Sequence, residues 1–221
     1  MLVRWSPNRD ARPAGSTVDT LILHYTGMPT AEDALARLGD PAAKVSAHYL
    51  IDEDGSIVQL VPEPERAWHA GVSAWRGETD LNARSIGIEL VNPGHEWGYR
   101  PFTEAQYRAL IPLCLEILQR WPIPPPRVLA HSDVAPDRKQ DPGELFDWQR
   151  LACAGIGVWP EDGPGLPRSL EETLAQLVEI GYPNAGRVTI TAFQRHFRPE
   201  CITGDPDPLT LARLDGVVRA Q

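Results

Sequence analysis

The sequence predicts a mixed α/β (α+β) fold: a central mixed β-sheet flanked by helices, with a small C-terminal three-helix unit. Three observations point there. Short apolar runs rich in β-branched residues recur at 18–25, 47–52, 56–61, 85–91 and 127–130. Capped amphipathic segments separate some of these runs but not all, so strict strand–helix alternation is absent and the sheet must mix its strand directions. Beyond residue 168 the pattern becomes wholly helical.

Each element has a local reason. The run 18–25 is nearly continuous in apolar residues and reads as a buried central strand ending near His24. Thr30-Ala-Glu-Asp33 resembles a capping box, with Asp in place of Glu, and opens a short helix through Leu38. The runs 47–52 and 56–61 flank Asp54-Gly55, a hairpin turn signal. The run 85–91 is a second buried strand. Thr103-Glu-Ala-Gln106 is a fuller capping box, and Leu110, Leu113, Cys114 and Ile117 follow on one helical face. Pro112 lies inside that helix and predicts a kink. The run 127–130 is a short strand leading into a loop that opens at His131. Residues 157–168 hold three glycines and three prolines and read as a linker. Ser169 and Glu172 form another capping box, with Leu170, Leu174, Leu177 and Val178 on one face and Gly181 at the end. A second helix over 188–197 carries Phe193 and Phe197. Asp207-Pro208 opens a third through Leu211, Leu214 and Val218. The predicted organisation is a main domain at 1–156, a linker at 157–167 and a separately cored helical unit at 168–221. A unit of roughly fifty residues is near the lower limit for independent stability, so it should dock on the rest.

Composition narrows the function. A net charge of −9 argues against nucleic acid or an anionic membrane as the main partner. Cys114, Cys153 and Cys201 are odd in number and lack CxxC spacing, so neither a disulfide framework nor a thiolate metal site is expected. The N-terminal residues show no apolar leader and no lipidation cysteine, and no run is long enough to span a bilayer. A cytoplasmic location is therefore expected, with no obligate protein partner.

The chemistry gathers in His131-Ser-Asp-Val-Ala-Pro-Asp-Arg-Lys-Gln-Asp141, together with His24 far upstream. Two imidazoles and one carboxylate make three ligands. A catalytic zinc needs that number, because its fourth position stays open for water. By spacing alone Asp133 or Asp137 could replace Asp141. Lys139 has no lone pair to bind a metal but can stabilise negative charge on a substrate oxygen. Glu89 lies in the apolar strand Ile86-Gly-Ile-Glu-Leu-Val and must be paired, hydrogen-bonded or catalytic there. His69 reads as a cleft residue that contacts substrate. His48 is equally readable as structural, and His95 and His196 as surface or packing residues.

These segments together resemble the zinc-dependent type 2 N-acetylmuramoyl-L-alanine amidases, which share a fold with peptidoglycan recognition proteins. The resemblance rests on Leu23-His24-Tyr-Thr, Ser46-Ala-His-Tyr-Leu-Ile51, Ala67-Trp-His-Ala-Gly-Val-Ser73, Ser85-Ile-Gly-Ile-Glu-Leu90 and residues 131–143, in the family's order. It implies zinc on His24, His131 and Asp141, Glu89 as catalytic acid/base and Lys139 as the oxyanion-stabilising group. Trp68, His69 and Asn92 are the candidates for holding sugar or peptide. Residues 168–218 resemble a three-helix peptidoglycan-binding module, chiefly through Thr191-Ala-Phe-Gln-Arg-His-Phe-Arg-Pro199. The implied substrate is a muropeptide or peptidoglycan, and a cytoplasmic enzyme would meet 1,6-anhydro-muropeptides during wall recycling. The alternatives are an exported amidase acting on intact wall, a module that only binds muropeptides, and a zinc peptidase cutting within the stem peptide. A mere binder has no need of three ligands plus Glu89 and Lys139.

Overall fold

A computed structural model of the protein describes residues 1–161 and 163–221. Asp162, inside the expected linker, lies outside the described residues. In chain order the strands are β1 (Leu2–Val3), β2 (Arg9–Ala11), β3 (Thr20–Tyr25), β4 (Tyr49–Ile51), β5 (Ile57–Gln59), β6 (Glu65–Ala67), β7 (Ala74–Trp75), β8 (Glu78–Thr79), β9 (Ser85–Leu90) and β10 (Val128–Ala130). The helices are α1 (Ala31–Gly39), α2 (Gly94–Trp97), α3 (Glu104–Arg120), α4 (His131–Val134), α5 (Trp148–Cys153), α6 (Leu170–Ile180), α7 (Arg187–Phe197) and α8 (Pro208–Arg219).

The main sheet runs β1-β5-β4-β9-β3-β10. The β4–β5 hairpin is antiparallel, whereas β4–β9, β9–β3 and β3–β10 are parallel, which is the mixed sheet the sequence predicts. The centre of β3, Leu21 to Leu23, is apolar because both of its faces are covered. Leu21 and Leu23 join Ile86, Ile88 and the α3 residues Leu110, Cys114 and Ile117 on one side. Ile22 points the other way, to Leu129 and the C-terminal helices. A smaller cluster packs Leu50, Val58 and Leu60 against Ala34 and Leu38 of α1.

The caps form as read. Thr103 Oγ1 accepts from the Gln106 amide while the Gln106 side chain accepts from the Thr103 amide. Ser169 and Glu172 repeat this at α6. Thr30 caps α1 by accepting from the Asp33 amide, and Asp207 caps α8. α3 runs as one helix through Pro112. Pro112 and Arg108 are both exposed, so water can satisfy the carbonyl that the proline leaves without a partner. Cys114 is buried in the main cluster, Cys153 is exposed and Cys201 is half-buried, all as free thiols.

The C-terminal helices depart from the reading in two ways. The buried stripe of α6 is Thr173, Leu177 and Ile180, while Leu170 and Val178 are each 43% exposed. Val178 lies roughly 130° around the helix from that stripe, and Leu170 opens the helix at its exposed end. Nor do the three helices have a core of their own. Leu177, Ile180, Phe193 and Leu214 belong to one cluster with Ile22, Trp75 and Leu129. Helices of 11, 11 and 12 residues bury too little among themselves, so their apolar faces turn to the sheet. Gly181, with φ +138°, ends α6 where a Cβ would lie 2.5 Å from the Trp75 ring, and its carbonyl accepts from the Arg76 amide.

Replacing Leu177 with Ala should cost about 2–5 kcal/mol. Because its cluster spans the sheet and the helices, tryptophan fluorescence and far-ultraviolet circular dichroism should report one shared denaturant transition. Two separated transitions would show that the helices unfold independently.

Candidate metal centre

The sheet brings two chemical groups side by side. β3 and β9 pair in parallel with His24 directly opposite Glu89. β10 pairs with β3 up to Ala130 opposite Leu23, so His131, the next residue, arrives beside His24. The chain then folds back on itself. The Ser132 amide donates to the Asp141 carbonyl at 3.0 Å, closing the loop and returning Asp141 to His131.

His24 Nδ1, His131 Nδ1 and Asp141 Oδ2 form a triangle with sides of 2.9, 2.9 and 3.0 Å. All three residues are buried. Asp137 is exposed on the same loop, and Asp133, though buried, gives its oxygens to Ala130, Tyr182 and His196. The structure therefore brings Asp141, and neither other aspartate, to the histidines.

Hydrogen-bond accounting sets the tautomers. The Ser85 hydroxyl donates to the Leu81 carbonyl at 2.6 Å, so its oxygen accepts from His69 Nε2–H at 3.1 Å. His69 Nδ1 is then an acceptor, and receives His24 Nε2–H at 3.0 Å. His131 Nε2–H donates to the Ala70 carbonyl at 3.1 Å. Both Nδ1 atoms thus aim lone pairs into the triangle, the arrangement that a metal-binding histidine requires. Asn82 Oδ1 holds the His69 and Ala70 amides at 3.0 and 2.8 Å, fixing the turn that carries both partners. Gly87 makes the room, since a Cβ there would lie 2.4 Å from the His69 ring.

Burial, with the His131 ring beside it, lowers His24 to a pKa of about 4, so it stays neutral near pH 7. His69 is held well below its usual value, first by burial and then by the unfavourable approach of a second positive charge to the histidines around it. Burial alone would raise Asp141, but His131 and His24 outweigh it and keep the carboxylate ionised. Glu89 goes the other way: burial, and then the Asp141 charge, raise it well above the carboxylate range against the pull of Lys139. Glu89 Oε2 has no hydrogen-bond partner among the described residues. The site opens into a cleft of about 790 Å³ lined by Tyr25, Trp68, Glu89, His95, Trp97 and Lys139, among others.

The description N-acetylmuramoyl-L-alanine amidase belongs to the family model that matches residues 14–144. This chain is a member of that family. It is 42% identical to the N-acetylmuramoyl-L-alanine amidase AmiD of Escherichia coli over 95% of this chain and 86% of AmiD. The 1,6-anhydro-N-acetylmuramyl-L-alanine amidase AmpD of the same species is 40% identical over 66% of this chain and 87% of its own length. A solved complex of E. coli AmiD with anhydro-N-acetylmuramic acid-L-Ala-D-γ-Glu-L-Lys superposes with a TM-score of 0.84 at 41% identity, covering 96% of this chain and 92% of that one. AmpDh3 of Pseudomonas aeruginosa, in complex with an anhydromuramic pentapeptide, gives 0.82 at 34% identity, covering 98% and 97%.

Within the amidase scaffold, the other residues singled out in the sequence fall differently. Trp68 lines the cleft with an indole N–H that has no partner among the described residues. His69 also borders the cleft, but both its ring nitrogens are engaged behind His24. Asn92 is 1% exposed, and its amide serves its own loop by donating to the Arg100 carbonyl and accepting from the Gly94 amide. His48 is structural: Nδ1 accepts from the Gly87 amide and Nε2 donates to the Glu65 carbonyl. Sequence reasoning missed Asn82 and Ser85. Gly87, a glycine inside an apolar strand, was the available signal of a close approach.

Acid should destabilise the fold through its neutral histidines. Burial also lowers His48, to about 3. Between about pH 6.5 and 4 the unfolded chain protonates His24, His48 and His69 while the folded protein does not, so these three lower stability as pH falls and outnumber Glu89, whose raised proton affinity acts in the opposite sense. Each contributes up to about 1.4 kcal/mol per pH unit. Denaturant midpoints of chelator-treated amidase at pH 7 and pH 5 measure this, and equal midpoints would contradict it.

Proposed function

We propose that His24, His131 and Asp141 hold a catalytic zinc ion. In this reading the protein hydrolyses the amide joining the lactyl group of N-acetylmuramic acid to L-alanine in soluble 1,6-anhydro-muropeptides. The observation that carries the proposal is the triangle of two imidazole lone pairs and one carboxylate, with the unpartnered Glu89 oxygen on the neighbouring strand. Two histidines and one carboxylate fit a catalytic zinc, because three protein ligands leave one position open.

When bound, zinc supplies Lewis acidity, acidifying a water molecule and polarising an amide carbonyl. The chain's own groups supply the rest. Glu89, on the strand beside His24, accepts the proton of the attacking water. The same carboxylic acid then protonates the leaving amine, so Glu89 ends as it began. Lys139, lining the same cleft, offers positive charge where the carbonyl oxygen becomes an oxyanion. Trp68, which lines the cleft, offers its ring to the sugar or peptide. His69 acts through His24, and Asn92 by shaping the 92–100 loop.

The substrate class is supported by the two relatives solved with anhydromuramyl peptides and by the name of AmpD. Because such fragments are soluble, the reading includes a role in cytoplasmic wall recycling. Among the described residues no helix is long and apolar enough to cross a membrane. A second reading, action on intact peptidoglycan, is favoured by one observation: the AmiD and AmpDh3 likenesses extend through the C-terminal helices, whereas the AmpD match covers 66% of the chain. The boundaries 1–156, 157–167 and 168–221 belong to the same proposal, with the last segment as a peptidoglycan-binding-like module that shares its core with the sheet. Mass spectrometry of products from anhydro-muropeptides and from intact sacculi separates the two substrates and identifies the broken bond.

Elemental analysis should find one zinc per chain, lost in His24→Ala. Retention of stoichiometric zinc in that variant would remove His24 from the site. Glu89→Gln should keep zinc but lower kcat by about 10²–10⁴-fold. Lys139→Ala should also lower kcat, because its charge matters most once the oxyanion forms. A change confined to KM in both variants would assign these residues to ground-state binding.

A further inference from the structure

Two adjacent residues of α7 reach the two segments that carry His131 and Asp141. His196 is 3% exposed and lies stacked on Trp148 with ring centroids 3.8 Å apart. Its Nδ1–H donates to Asp133 Oδ2 at 2.7 Å. Tyr182, just past α6, donates its hydroxyl to Asp133 Oδ1 at 2.8 Å. The remaining donor is the Ala130 amide, at 2.8 Å from Oδ2, which closes the turn that presents His131. Asp133 is completely buried, two residues past His131. Both side chains that satisfy it come from beyond residue 168. Without them a buried carboxylate keeps a single backbone bond, and the turn must rearrange to find others.

The second grip is on the other ligand segment. Arg195 Nε lies in ion-pair range of Oε2 of Glu144, three residues past Asp141, at 3.4 Å and without a hydrogen bond. Glu144 also contacts His95 Nε2 at 3.2 Å, and His95 Nδ1 lies 3.0 Å from the hydroxyl of Tyr25, the residue after His24.

We propose that His196 and Tyr182, through Asp133, and Arg195, through Glu144, are positioning residues that hold His131 and Asp141 at metal-binding spacing. The proposal rests on the zinc reading above. It makes the C-terminal helices part of the catalytic unit, needed for turnover of small soluble substrates whether or not they also hold polymer. The requirement is geometric: a ligand set functions only when held within about 0.5 Å of its productive arrangement.

The test uses the full-length zinc enzyme and four variants: His196→Gln, Tyr182→Phe, Arg195→Gln and, for comparison, Leu214→Ala. Leu214 is fully buried in the same cluster and makes none of the hydrogen bonds to Asp133. Zinc affinity is read by competition with a chromophoric chelator. Kinetics are read on anhydro-N-acetylmuramic acid-L-Ala-D-γ-Glu-L-Lys at limiting and at excess zinc. His196→Gln should bind zinc about 10- to 100-fold more weakly. It should lose turnover at limiting zinc, recover it in excess zinc and keep its KM. Tyr182→Phe and Arg195→Gln should shift zinc affinity in the same direction. Leu214→Ala should lower Tm with zinc affinity unchanged. Wild-type zinc affinity in His196→Gln and Tyr182→Phe would overturn the proposal, as would equal weakening in Leu214→Ala. If His196→Gln does not fold, Tyr182→Phe, which removes only a hydroxyl, carries the test. A wild-type protein that binds no zinc would instead overturn the metal reading on which the proposal rests.

Discussion

The parallel register between β3 and β9 sets His24 directly opposite Glu89, and the chemistry of the molecule depends on that pairing. Side chains opposite one another in a sheet lie on the same face, so a ligand and a carboxylate meet with no loop to place them. β10 adds His131 one residue beyond its pairing with β3. The strands can hold this arrangement because apolar residues cover both faces of β3, Leu21 and Leu23 on one side and Ile22 on the other. The same burial keeps His24 neutral and raises the proton affinity of Glu89. One constraint, a sheet covered on both faces, therefore shapes both the proposed ligand and the proposed base.

Behind the ligands the protein directs its protons. The chain from the Leu81 carbonyl through Ser85 and His69 to His24 has a single consistent direction, and its last member points a lone pair at the site. His131 reaches the same state through the Ala70 carbonyl. Asn82 ties the two supports together by holding the His69 and Ala70 amides. The slot over Gly87 admits His69 only because that strand position has no side chain. A polar network this deep is tolerable because its members satisfy one another.

The C-terminal helices belong to the same logic. Their apolar stripes complete the cluster over Ile22 and Leu129, and Tyr182 and His196 complete the bonding of Asp133. The hydrophobic contact supplies attraction without direction, whereas the bonds to Asp133 supply direction. Together they fix where the helices sit relative to the loop that runs from His131 to Asp141.

Much of this was legible in the sequence, for local reasons. Capping boxes at Thr103 and Ser169 involve groups three residues apart, so their chemistry is written within one turn. The strand runs around His24 and Glu89 were readable because a strand covered on both faces is apolar throughout, which makes a His or Glu in it conspicuous. The segments that carry the family resemblance pointed to His24, His131 and Asp141 as a ligand set and to Glu89 as a base. The residues did not settle among themselves which of three aspartates joins the histidines. Nor did they show that His69 turns its nitrogens to His24 and Ser85, that Asn92 serves its own loop, or that His196 reaches Asp133. Those outcomes depend on partners far apart in the chain, 63 residues for His196 and Asp133 and 45 for His24 and His69. A buried polar atom takes whichever partner the packing of distant elements brings to it. Sequence thus determined which groups could do chemistry, and only the tertiary structure decided which of them face the site and which hold the others in place.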